Sequence, residues 1–362
     1  MDYIFFIAIL FIVSVIIFLC VQYTAVKNLN GKNRQYSSVT LDKHHKNPLL
    51  SPKPYLEWQA GGTFNPAAIT DENGRVHVVY RAVGSDGVSR LGYASSQDSL
   101  HFDDHEVYPV FSMSYDHTST TPKRYDRILY PSGGSYGGCE DPRMVQIDER
   151  IYVTFSAFDN WGSIRVALIS IHKYDFLNKR WNWTDPILLS KPGRVHKNWV
   201  LFPEKINGKF AIIHSIVPEV LVEYVDTLNA NTKPIESSRP AGPQPGRKDS
   251  WDDRIRGAGP PPIKTEKGWL LLYHAMQKGE HHKYKIGAML LDLNDPRKVI
   301  ARAKQPIMEP DMWYEDDWKP GVVYACGATV KDDTLYVYYG GGDKHICVAQ
   351  TSLSGLLSSM LS

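Results

Sequence analysis

The chain has 362 residues, 43% apolar and 22% charged, an ordinary globular composition that excludes a long disordered region and allows a sizeable core in one or two domains. Lys and Arg total 41 against 39 Asp and Glu, for a net charge of +2. No global field recruits nucleic acid, so none is expected as a partner, and any anion site must be local.

Tyr3 to Val26 contains no charged residue, and Ile4 to Val21 is almost wholly Ile, Phe, Leu and Val, close to the ~20 apolar residues a helix needs to cross a bilayer. Residues 1–26 therefore predict a membrane anchor helix. It is expected to stay uncleaved, because Asp2 replaces the basic flank of a signal peptide and no small residues mark a cut. Lys27, Lys32 and Arg34 follow, and the positive-inside rule favours a cytosolic domain; the sequon Asn182-Trp183-Thr184 points the other way. A single-pass membrane protein is expected, its side open. Residues 27–46, polar, basic and aperiodic, read as a flexible tether, and residues 47–362 as the folded domain.

Within that domain one unit recurs: a Pro or Gly, a short apolar strand, a polar turn, then a tighter apolar strand. The five copies begin at Asn65, Asp141, Phe202, Pro261 and Gly327, turn at Asp71–Gly74, Asp148-Glu149, Asn207-Gly208, Glu266–Gly268 and Lys331–Asp333, and close on Tyr80, Phe155, His214, Tyr273 and Tyr339. These are hairpins. Further strands follow them, as at Arg165–His172 and Ile286–Leu293, giving about four per repeat, which is the blade of a propeller. The expected fold is all-β, a five-bladed β-propeller preceded by an N-terminal transmembrane helix. Leu353–Leu361 reads as a short helix or a closing strand. Asp116–Gly138 and Asn229–Arg254 interrupt the pattern and are expected to rim the pocket.

Innermost strands of a propeller line an axial funnel, so polar groups at their starts converge although distant in sequence. The candidates are Asn65, Arg81, Glu140-Asp141-Pro142-Arg143, Asp159, Lys197-Asn198, His214, Arg254, Arg256, His274, Tyr284 and Asp343. Pro142 disfavours the α region at Asp141 and predicts an extended backbone there. Cys139, Cys326 and Cys347 form no CxxC or Cys/His pattern, so no metal site is expected; they read as buried thiols, with one disulfide as the alternative. Gly340-Gly341-Gly342 lacks the strand-to-helix context of a phosphate cradle. Trp161, Trp251, Trp313 and Trp318 fall in loops, where an indole stacks on a sugar face.

Taken in order, Asn65-Pro66-Ala67, Tyr80-Arg81-Ala82, Glu140-Asp141-Pro142-Arg143, Lys197-Asn198, Leu201-Phe202-Pro203-Glu204-Lys205-Ile206, Gly257-Ala258-Gly259-Pro260-Pro261, Tyr273-His274 and Tyr338-Tyr339-Gly340 resemble family 130 of the glycoside hydrolases. These are mannoside phosphorylases and mannosidases built as five-bladed propellers, and the resemblance covers roughly residues 47–353. It implies that Asp141 is the general acid and that Asn65, Arg81 and Asp343 hold a mannose ring, with Asp159 a further sugar-binding candidate. It also implies that Lys197, Asn198, Arg256, His274 and Tyr284 hold inorganic phosphate as co-substrate, with no cofactor. The partner it implies is a β-mannoside oligosaccharide or glycan, and the reaction inverting phosphorolysis to mannose 1-phosphate or the reverse synthesis. One departure stands out. Phosphorylases of the family usually carry an Arg after the inner-strand His, where this chain has His214-Ser215. Either Arg254 or Lys283 takes its place, or water replaces phosphate, with Glu219 and Glu223 as candidate bases. An inverting β-mannosidase and a non-catalytic sugar-binding propeller are the alternatives.

Overall fold

The computed structural model describes residues 39–113, 126–130, 132–160, 163–239, 242–280 and 282–362, apart from the side chains of 159, 160 and 163. After a two-residue strand β1 (Asp42–Lys43), the strands fall into five successive groups, antiparallel within each, the first two linked into one sheet by a parallel bridge of Val88 and Ser89 with Gly137 and Gly138. The first holds β2 (Gly62–Thr70), β3 (Val76–Val83), β4 (Val88–Ser96) and β5 (Asp104–His105); the second β6 (Gly137–Ile147), β7 (Arg150–Asn160), β8 (Ser163–His172) and β9 (Ile187–Leu188). The third is short, with β10 (Val200–Leu201), β11 (Phe210–Ser215) and β12 (Leu221–Val225). The fourth comprises β13 (Gln244–Pro245), β14 (Arg254–Ala258), β15 (Ile263–Thr265), β16 (Gly268–Met276), β17 (Lys285–Leu291) and β18 (Val299–Arg302), and the fifth β19 (Val323–Lys331), β20 (Thr334–Gly341) and β21 (His345–Ser352). A short helix α1 (Lys173–Leu177) follows β8, and the chain closes on a helix α2 (Leu353–Leu361).

Side-chain alternation along each central strand decides how the groups pack. In β3, Val76, Val78, Tyr80 and Ala82 point one way and join Tyr338, Ile346 and Val348 of the fifth group. Val79 points the other way and joins Ile151, Val153 and Phe155 of the second. Both faces are therefore buried, because a period of two sends alternate residues to two different neighbours. Further apolar clusters join the second group to the third, the third to the fourth and the fourth to the fifth. The circuit of interfaces closes on itself, the signature of a propeller-like all-β fold. The polar ends of the inner strands are thereby turned toward a common axis.

Three expectations are corrected. Among the described residues no helix is long and apolar enough to cross a membrane. The span expected at residues 3–26 lies outside the described residues, so the transmembrane helix, the membrane as a partner and the single-pass localisation are withdrawn: an apolar run is necessary for a span but does not establish one. The compact unit starts at Val39, inside the expected tether of 27–46. Leu41 is buried in the core between the fourth and fifth groups, and Asp42 and Lys43 pair with Gln350 and Ala349 of β21, so an N-terminal strand completes the last group. Thirdly, Asp141 is not extended but has φ 52°, for a reason that shapes the site.

Candidate functional site

Four inner strands break register at the same level: between Phe64 and Ala67 in β2, Glu140 and Arg143 in β6, Ile255 and Gly257 in β14, and Ala325 and Gly327 in β19. Asn65 and Asp141 carry φ of 51° and 52° at these bulges, and Asn198 just before β10 has φ 63°. Asn and Asp are the side chains that enter the left-handed region most readily, and a bulge bends its strand and re-aims a side chain. Pro66 and Pro142 follow at positions where the bulge has already removed a ladder hydrogen bond. The repeated device gathers residues of all five groups around a cavity of about 290 Å³, whose walls include Asn65, Arg81, Asp141, Asn198, Arg256 and Tyr324.

Asp141 lies on its wall and is 6% exposed. Its Oδ1 accepts from Asn65 Nδ2 at 2.8 Å and Arg81 Nη1 at 3.1 Å, while Oδ2 has no hydrogen-bond partner among the described residues. Burial pushes its proton affinity up, but Arg81 and then Lys197 outweigh this and hold the carboxyl well below the usual carboxylate range. Arg81 is itself fixed, donating through Nε to Ser89 at 2.9 Å and through Nη2 to Ser135 at 2.8 Å and Glu140 at 2.9 Å.

Glu140, to which the sequence reading gave no role, is fully buried and neutralises two cations at once: Arg81 on Oε1 and Lys197 on Oε2 at 2.6 Å. In a regular strand Glu140 and Asp141 would face opposite ways. The bulge between them lets both carboxylates reach Arg81. Their adjacency in one motif was the available signal.

The expected phosphate ligands separate into two kinds. Lys197, Asn198, Arg256 and Tyr284 line the cavity. Asn198 is largely committed to the frame, donating to Arg256 O at 2.9 Å and accepting from Tyr324 at 2.5 Å and Arg143 at 3.0 Å. Arg256 lies over the Tyr284 ring at 5.4 Å and has no carboxylate partner among the described residues. His274 is not on the wall. It is fully buried behind Tyr324, stacked at 3.9 Å, with Nε2 accepting from the Ala325 N–H at 2.9 Å. Burial first, then Arg143, push it down to about 3, so it is neutral near pH 7 and braces Tyr324. Asp343 lines the cavity and pairs with Lys319 at 3.3 Å. The backbone of Asp159 belongs to β7; its side chain lies outside the described residues.

A smaller compartment adjoins the first and shares Lys197, Asn198, Gly242 and Arg256 with it; His214, Ser215, Arg239 and Gln244 complete its polar wall, and no carboxylate lines it. Glu219 and Glu223, the candidate bases, are exposed and line neither compartment. Lys283 pairs with Glu280 at 3.7 Å, and neither it nor Arg254 is on either wall. Tyr324, Lys319 and Arg239 were missed: Tyr324 precedes the expected start of the fifth hairpin, and the other two lie in loops without a period. Cys139, Cys326 and Cys347 are free, buried thiols. Of the loop tryptophans, Trp318 stacks under Arg127 at 3.6 Å, and Arg127 donates to Asp343 O at 2.7 Å, which ties this indole to the cavity edge.

Comparison with known proteins agrees with this arrangement. The pattern of the family described as β-1,4-mannooligosaccharide phosphorylase, glycoside hydrolase family 130, matches residues 40–361. A 1,2-β-oligomannan phosphorylase of Thermoanaerobacter sp. (strain X514) is 37% identical over 324 residues, 86% of this chain and 97% of that protein. A β-1,2-mannobiose phosphorylase of the same organism is 33% identical over 321 residues, 83% and 94% of the two chains. Among solved structures, the Listeria innocua β-1,2-mannobiose phosphorylase in complex with β-1,2-mannobiose superposes with a TM-score of 0.64 at 25% identity, covering 88% of this chain and 99% of that one. The chain belongs to glycoside hydrolase family 130 and is an enzyme acting on β-mannosides.

Proposed function

We propose that this member of family 130 cleaves β-1,2-linked mannosides by inverting phosphorolysis, with Asp141 as the proton donor. The carrying observation is the asymmetry at Asp141: Asn65 and Arg81 both hold Oδ1, Oδ2 has no partner among the described residues, and a cation-lined compartment free of carboxylates lies alongside. A carboxyl held by one oxygen keeps the other for the departing glycosidic oxygen, reached directly or through a sugar hydroxyl. The linkage rests on the two Thermoanaerobacter relatives.

In the reaction, an oxygen of HPO₄²⁻ forms a bond to the anomeric carbon from the face opposite the aglycone while the glycosidic C–O bond breaks. The leaving oxygen takes one proton, and the phosphate loses one in becoming the phosphate ester, so charge and atoms balance, with Asp141 as the relay. The unliganded Asp141 is ionised. A dianion seated beside Lys197 and Arg256 offsets the positive potential that keeps it so and raises its proton affinity. Arg81, Arg143, Lys197, Arg256 and Lys319 outnumber Asp141, Glu140 and Asp343 in and behind the walls, which suits a dianionic co-substrate. Hydrolysis would need a second carboxylate to activate water; neither Glu219 nor Glu223 reaches the cavity, and Asp343, the other carboxylate on its wall, is paired with Lys319 at 3.3 Å.

The test is to incubate the purified chain with β-1,2-mannobiose, with and without inorganic phosphate, and to follow products by ³¹P NMR and sugar chromatography. Mannose 1-phosphate formed only with phosphate is expected. Free mannose at an equal rate in phosphate-free buffer would mean water is the acceptor, and binding without turnover would mean a lectin.

A further inference from the structure

Ser215 stands where the family resemblance leads one to expect a guanidinium, and its Oγ is engaged locally, donating to Val217 O at 2.9 Å. The compartment, about 40 Å³, has room for a group the size of about three waters, too small for a sugar ring and fitting for a tetrahedral oxyanion. Three cations border it. Lys197 is already neutralised by Glu140, which leaves two guanidiniums without a carboxylate partner among the described residues: Arg256, which lies over Tyr284, and Arg239. It belongs to the segment between β12 and β14. Its backbone N–H donates to Ser237 Oγ at 3.3 Å, and Ser237 Oγ bonds His214 Nδ1 at 3.0 Å, so the segment is tied to the strand that carries Ser215. The Nε of Arg239 is buried without a hydrogen-bond partner, and the guanidinium has no carboxylate partner among the described residues. Buried N–H groups of a charged side chain are rarely left without an acceptor, and the adjoining space is bordered by three cations and no carboxylate, a setting in which a bound anion supplies the acceptor.

We infer that Arg239 is a phosphate ligand that restores, from a loop, the guanidinium absent at position 215. The inference rests on the phosphorolytic reading of the same site and specifies how this chain keeps its affinity for phosphate. A guanidinium suits a tetrahedral oxyanion because its fork makes parallel, charge-assisted hydrogen bonds.

Steady-state kinetics of Arg239→Gln, varying inorganic phosphate at saturating β-1,2-mannobiose and then the reverse, test it. The KM for phosphate rises about tenfold or more, while that for mannobiose stays within about twofold. Arg239→Lys, which keeps the charge without the fork, loses less and serves if the Gln variant does not fold. Adding Ser215→Arg to Arg239→Gln brings the phosphate KM back toward wild type, a recovery that a merely structural role for Arg239 would not produce. An unchanged phosphate KM in Arg239→Gln, or an equal rise for both substrates, overturns the inference with phosphorolysis intact. Free mannose as the wild-type product in phosphate-free buffer overturns the reading beneath it, and this inference with it.

Discussion

Replacing Asp141 with Asn isolates the proton from the architecture. The carboxamide has the shape of the carboxyl, and its oxygen in the place of Oδ1 still accepts from Asn65 Nδ2 and Arg81 Nη1, the two bonds of 2.8 and 3.1 Å that fix the residue. Arg81 loses a charged partner but keeps Glu140 at 2.9 Å and both serines, so the fold loses about 1–2 kcal/mol, the scale of one charged hydrogen bond weakened rather than left empty. What disappears is the acidic proton. General acid catalysis contributes roughly 10²–10⁴-fold, so kcat on mannobiose falls by that factor, about 3–5 kcal/mol of barrier. A β-mannoside with a dinitrophenolate leaving group, which departs without protonation, supplies the control: on it the variant keeps its rate to within about tenfold. The assay is initial-rate phosphorolysis of both substrates, with unfolding by denaturant in parallel. Equal losses on the two leaving groups would refute the argument and make Asp141 a positioning residue.

Other expectations follow from the same geometry. Glu140→Gln leaves Arg81 and Lys197 without their shared buried carboxylate and lowers the unfolding free energy by about 3–5 kcal/mol, read from denaturant midpoints; a loss below about 1 kcal/mol would mean the pair is solvated. In Gly340→Ala the new Cβ falls 2.1 Å from Asn65 Oδ1 and 2.9 Å from Asn65 N, so Asn65 must move and the KM for mannoside rises; wild-type kinetics would remove Asn65 from the sugar site. Burial, chiefly, pushes His214 down to about 4, and burial with Arg143 pushes His274 down to about 3, both from 6.5. The unfolded chain therefore binds protons that the native state refuses, and stability falls as pH drops below about 6.5, by up to roughly 1.4 kcal/mol per pH unit for each histidine. Asp141, held below the usual carboxylate range, adds a loss only as pH falls through that range. Denaturant midpoints from pH 8 to 4 check both, and a flat profile between 7 and 5 would exclude the histidine contribution.

The strands were legible where the alternation of apolar residues was long and the turns carried Asn, Asp or Gly, as in Val76–Tyr80 and Ile151–Phe155. The motif around Asp141 was legible through its resemblance to a family, and Asn65, Arg81, Asp141, Lys197, Arg256 and Tyr284 do meet at one cavity. Other features were hidden for definite reasons. β1 is two residues long, below any period. His274 lies on β16, which is buried on both faces, so alternation says which residues share its face but not whether that face looks at the axis. The left-handed backbone at Asp141 comes from a bulge, and the proline rule speaks only to the α and extended regions. Arg239 and Lys319 come from loops, where sequence carries no direction.

The central claim is that phosphate, seated beside Lys197 and Arg256, attacks opposite an aglycone protonated by way of Asp141. Phosphorolysis of β-1,2-mannobiose with ¹⁸O-labelled phosphate, followed by NMR and mass spectrometry, reads the attacking atom and the face it attacks from. The account predicts α-mannose 1-phosphate as the first product, with every phosphate oxygen, the bridging one included, still labelled. A β-configured phosphate, or an α-phosphate whose bridging oxygen is unlabelled, would contradict it.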